Sequence, residues 1–138
     1  CFAGYRPGYL LRALPVLLAP SPARVRSFLR WESRGAPLDP AWLRLQEPAA
    51  SFKKARPVIG PRPGAAALHA LRTPVLILLA GRSRAHDTSR VAEVGAALLP
   101  HAEITVLPSV GHHGLQHQAT VELNAEIGEF IRRPVLPG

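Results

Sequence analysis

Pro74-Val75-Leu76-Ile77-Leu78-Leu79-Ala80 is an unbroken apolar run that stops at Gly81. A strand covered on both faces reads this way, whereas a half-exposed strand alternates. Polar residues follow from Arg82 to Asp87, and then Val91, Val94 and Leu98 recur at helical spacing up to Pro100. Ile104-Thr105-Val106-Leu107 reads as a second short strand, and Pro108 to His117 as a loop. Val121, Leu123, Ile127, Phe130 and Ile131 mark a last helix that closes at Arg132-Arg133-Pro134 and offers Ile127, Phe130 and Ile131 to a sheet face. Strands alternating with helices imply parallel pairing and a right-handed crossover. Two parallel strands are not a self-sufficient core. The outer edge of the Val75–Ala80 run therefore expects a further strand, and an unpaired apolar edge is an aggregation template.

Upstream of this unit the text changes. Residues 1–70 read as helical pieces punctuated by proline. Ser21-Pro22 is a helix start, with serine as cap and proline in the first turn. That helix is expected to run to about Ser33, with Val25, Phe28 and Leu29 on one face, and to stop near Gly35. Asp39-Pro40 repeats the signal and opens a short helix through Trp42, Leu43 and Leu45, and Tyr9 to Leu14 is a third candidate. Glu47 to Gly64 reads as a loop or linker. The organisation is thus a helical, proline-rich segment over 1–70 and a strand-helix-strand-helix unit over 71–138.

Composition narrows the function classes. The chain has 138 residues, 47% of them apolar, so it can bury a core. A single cysteine rules out an internal disulfide framework and any zinc site built on several thiolates. The longest candidate apolar run, Tyr9 to Ala19, is broken by Arg12 and Pro15 and falls short of a membrane span of roughly 20 residues. Net charge is +8, from 17 Lys+Arg against 9 Asp+Glu. The arginines are scattered and aromatic residues total 6%, so no basic stripe with stacking rings is present and no nucleic-acid partner is expected. No signal peptide is visible, which gives a cytoplasmic expectation. The start at Cys1 reads as that of a fragment.

The second half carries a resemblance. Leu71 to Asp87, reading Leu-Arg-Thr-Pro-Val-Leu-Ile-Leu-Leu-Ala-Gly-Arg-Ser-Arg-Ala-His-Asp, resembles the penultimate strand of the α/β-hydrolases and the acid-bearing loop behind it. Leu98 to His112, ending Pro108-Ser-Val-Gly-His112, resembles the final strand and the loop of the catalytic histidine. The tail through Val121, Asn124 and Phe130 is similar to the family's closing helix. The phrases Leu29-Arg-Trp-Glu32 and Pro37-Leu-Asp-Pro40 are similar to lid helices of bacterial members. The resemblance implies the carboxyl-terminal part of an α/β-hydrolase sheet preceded by a helical lid-like segment.

It also implies a chemistry. Such enzymes use a nucleophile on a Gly-x-Ser-x-Gly elbow, a histidine base and a carboxylate that orients the histidine. His112, behind Gly111, stands where the family keeps its base. Asp87 is the candidate acid; the family's Gly-x-x-Asp pattern would put that acid at Ser83. The alternative for Asp87-Thr88-Ser89 is a helix cap, and a third possibility is that the acid lies on the preceding strand's loop, outside this chain. No Gly-x-Ser-x-Gly occurs, and Ser51, Ser83 and Ser109 have no elbow context. The nucleophile is therefore expected from a missing amino-terminal part of the same domain, which is the expected partner, and the chain alone is expected to be inactive. The substrate class is an ester, amide or similar small molecule. A non-catalytic binding module or remnant that uses only the fold is the alternative. His113 and His117 are four apart, but Gly111 and Gly114 disfavour the helix a shared zinc would need. Neither a metal nor a cofactor is expected. Trp31 and Trp42 are candidates for an acyl pocket or for the lid's own core. Lys53-Lys54 reads as solvated loop.

Overall fold

The computed structural model describes residues 2, 4–50, 52, 63–116 and 120–133. Cys1, Ser51, Lys53, Lys54, His117 and the tail from Pro134 lie outside them, as does most of the expected linker. Six α-helices and two strands follow in the order α1 (Pro7–Leu18), α2 (Pro22–Glu32), α3 (Pro40–Ala49), α4 (Ala65–His69), β1 (Leu76–Ala80), α5 (Thr88–Leu98), β2 (Glu103–Leu107) and α6 (Thr120–Arg132), with a 3₁₀ turn at His113–Gln116.

Local chemistry sets most boundaries. The Ser21 hydroxyl accepts from the Arg24 N–H at 3.3 Å, and the Asp39 carboxylate from the Ala41 and Trp42 N–H groups, so each satisfies donors that a helix start leaves orphaned. The helix α2 ends in two left-handed residues, Arg34 at φ 55° and Gly35 at φ 78°. Glycine adopts this backbone freely; at Arg34 it costs about 1–2 kcal/mol. α1 is longer than its expected core of Tyr9 to Leu14 and takes Pro15 into its last turns. α3 runs on to Ala49, into the first residues of the expected linker, and α4, just behind that linker, was not anticipated.

The strands β1 and β2 pair in parallel, Leu76 opposite Glu103 through Ala80 opposite Leu107. The expectation of a strand buried on both faces needs correction: Leu76 to Leu79 are half-buried and only Ala80 is buried. The reason is the sheet's width. Among the described residues β1 has a strand on one side only. Helix α5 packs against both strands through Val91 and Gly95, and α6 lies along β1. On α6 the inward residues are Leu123, Glu126 and Phe130; of the residues expected to face the sheet, Ile127 is 37% and Ile131 73% exposed. The Thr105 hydroxyl donates to Glu126 at 3.0 Å, which explains a carboxylate on that face.

Beyond the strand ends the two following loops are tied together. The Gly81 N–H donates to the Leu107 carbonyl at 2.8 Å and the Arg82 N–H to the Val110 carbonyl at 2.9 Å. The approach is close enough that a Cβ on Gly81 would lie 2.8 Å from Pro108 Cα. Gly81 is therefore a requirement of the loop pair. Leu107 and Val110, both buried, pack with Leu115 and Leu123 beneath it.

Candidate active site

His112 projects from the loop behind β2, between Gly111 and the 3₁₀ turn. Loops at the carboxyl ends of parallel strands are where open α/β sheets place ligands. The ring of His112 lies in an aromatic cluster, with centroids 5.5 Å from His86, 5.3 Å from His113 and 6.5 Å from Tyr9. It also borders a cavity of about 250 Å³ whose walls include Ile77, Leu78, Leu79 and Ala80 in succession. One face of a strand shows alternate residues, so four consecutive ones mean that the cavity follows the open edge of β1.

The loop is held by α2. Glu32, the last residue of α2, is 1% exposed. One oxygen accepts from the His112 backbone N–H at 2.9 Å; the other meets His113 Nδ1 at 3.1 Å. A buried carboxylate without partners is costly, and here both oxygens are used. Burial raises the Glu32 carboxyl, but the His113 hydrogen bond and charge and the His112 contacts outweigh it and hold the group below its ordinary range. Burial also lowers the His112 imidazole; His113 and His86 push the same way and Glu32 opposes them. Tyr9 is pushed up to about 12, by burial first and then by Glu32 and Tyr5. His112 is thus held as a neutral imidazole near neutral pH, the form that accepts a proton.

Asp87 sits in the facing loop, where the sequence puts it, but its contacts are those of a cap. One oxygen accepts from the Arg90 N–H at 3.2 Å at the start of α5, and the other pairs with Arg6 at 3.3 Å. Among the described residues neither meets His112. Instead His86, next to Asp87, brings that loop against the His112 ring. Ser83 is buried, and its hydroxyl accepts from the Ala85 and His86 N–H groups at 3.2 and 3.3 Å. It shapes the turn and is not presented as a nucleophile. Trp42 leans on His113 at 5.7 Å, while Trp31 packs with Phe28 and Tyr9. No three His, Cys, Asp or Glu side chains among the described residues gather as ion ligands, and no described helix is long and apolar enough to cross a membrane.

Sequence reasoning missed Glu32, His86 and Tyr9. Glu32 had a signal, as the lone carboxylate of an arginine-rich helix, inside a phrase noticed only for its similarity to a lid. The pairing of residues 80 positions apart had none.

No family model and no curated protein matches the sequence. Solved structures do. A candidate hydrolase of Bacillus subtilis superposes with a TM-score of 0.77 at 19% identity, over 95% of this chain and 48% of its own. Carboxylesterase CesB of Bacillus subtilis gives 0.76 at 16% identity, over 95% and 47%. The naproxen esterase (carboxylesterase NP) of the same organism gives 0.70 at 17%, over 91% and 46%. The fold is that of the α/β-hydrolases. The chain spans about half the length of these structures, consistent with the carboxyl-terminal part of an α/β-hydrolase domain.

Proposed function

We propose that the chain supplies the general base, His112, to an α/β-hydrolase that cleaves an ester, amide or similar small substrate. The observation that carries this reading is the placement of a half-buried imidazole of lowered pKa, behind the last strand, on the wall of a cavity along β1. In the reaction His112 takes the proton of the attacking hydroxyl and returns it to the leaving group. The nucleophile elbow and the strand that covers the open edge of β1 belong to an amino-terminal part of the same domain. Glu32 positions the base loop through its backbone. Asp87, the acid candidate of the sequence, keeps its two oxygens on Arg6 and the cap of α5, so the carboxylate that orients the imidazole is assigned to the loop of the preceding strand, in the amino-terminal part of the domain.

The protein that joins this chain to those elements is expected to hydrolyse 4-nitrophenyl butyrate. A folded protein of that composition without turnover on aryl esters or amides supports the other reading, a binding module that keeps only the fold. That reading has one observation in its favour, Ser83 at the usual acid position.

A further inference from the structure

Tyr9, whose ring lies 6.5 Å from that of His112, also borders a second cavity, of about 350 Å³, walled by Arg6, Gly8, Tyr9, Trp31, Arg34 and Arg84. Three guanidinium groups share one hollow with two aromatic rings. Only Arg6 has an acidic partner, Asp87. Among the described residues Arg34 and Arg84 meet no carboxylate. Arg34 donates through Nε to the Arg82 carbonyl at 3.3 Å, and no hydrogen bond to another described residue engages the two terminal nitrogens of its fork. It reaches that position from a left-handed backbone that would suit glycine better. The Arg84 guanidinium lies over the Trp31 ring at 4.6 Å, and its Nε is buried with no hydrogen-bond acceptor. A planar ring under a planar guanidinium fixes its orientation, and the fork of N–H donors matches a carboxylate bidentately.

We propose that this hollow is a binding site for a small carboxylate on an apolar body, with Arg84 and Arg34 gripping the carboxylate and Tyr9 and Trp31 covering the body. Tyr9 is shared with the His112 cluster, so the bound anion sits one ring away from the base. The binding claim rests on the hollow alone. Its use as the acidic end of a substrate whose other end reaches His112 rests on the hydrolase reading.

Titration of the folded protein with benzoate, benzamide and inorganic phosphate, followed by calorimetry and tryptophan fluorescence, tests the site. Benzoate is expected to bind at least about tenfold more tightly than benzamide, which has the same shape without the charge, and more tightly than phosphate, which lacks the apolar body. Arg84→Gln and Arg34→Gln are each expected to weaken benzoate by about tenfold, and Arg84→Lys by less than Arg84→Gln. His112→Ala is expected to leave benzoate affinity unchanged, so loss of the hydrolase reading and loss of this one are told apart. Benzamide binding as tightly as benzoate, or phosphate binding more tightly, overturns the proposal. That comparison uses the unaltered protein and stands even where a variant does not fold.

Discussion

Glu32 Oε2 lies 3.1 Å from His113 Nδ1, across 81 residues of sequence, while its other oxygen holds the backbone of His112. One buried carboxylate at the end of α2 thus fixes two consecutive histidines of the loop behind β2. Glu32→Gln keeps the shape and can still accept from the His112 N–H, but it loses the charge opposite His113. A hydrogen bond to a charged group contributes about 1.5–3 kcal/mol, and the variant should lose stability on that scale. Urea unfolding measures it. A midpoint unchanged from the parent would mean that the pair is incidental.

Acidification should weaken the same region in two stages. His112 has its imidazole pKa lowered from the ordinary 6.5, so the folded state holds fewer protons than the unfolded one and folding is disfavoured progressively below pH 6.5. Glu32 is lowered from 4.5, so its contribution is complete above that value and is lost as pH falls through its folded value. The proposed reaction needs neutral His112, and the acid limb of kcat/KM against pH is expected at a midpoint below 6.5. A midpoint above 6.5 would mean that burial does not govern this imidazole.

Asp87 can be tested without disturbing its helix. Serine is as good a cap as aspartate, so Asp87→Ser should change stability by less than about 0.5 kcal/mol. Since both carboxylate oxygens serve the cap and Arg6, turnover is expected to stay within a few-fold of the parent. A fall of about 10⁴, as when the carboxylate of a working triad is lost, would make Asp87 the acid.

Much of this architecture is written in short-range patterns. The run to Ala80, the spacing of Val91, Val94 and Leu98, and the caps at Ser21 and Asp39 all act within a few residues, and each element formed where its pattern lies. What could not be read there depends on distant partners. The half-exposure of Leu76 to Leu79 follows from β1 having a strand on one side only among the described residues, and the outward turn of Ile131 from which side of α6 meets Thr105 and the sheet. The latch of Glu32 on His112 and His113 needs α2 folded over the loop. Asp87 shows the same limit at close range: one residue fits a cap and an acid equally well until its contacts are known.

Gly81 offers a check on the loop junction. Any side chain there meets the backbone of Leu107 and Pro108 at 2.8–2.9 Å, and backbone cannot swing aside as a side-chain tip can. Gly81→Ala is expected to cost about 1–3 kcal/mol, as overpacking does, and to lower turnover by shifting the base loop. Thermal unfolding together with the rate measures both. A variant as stable and as active as the parent would show that the two loops are not locked to one another.

The most direct test of the account is His112→Ala in the protein that carries this chain together with its nucleophile. The variant should keep its circular dichroism and thermal midpoint while the hydrolysis of 4-nitrophenyl butyrate falls by about 10²–10⁴, the usual contribution of a general base. Turnover equal to the parent's in a folded His112→Ala protein would contradict it.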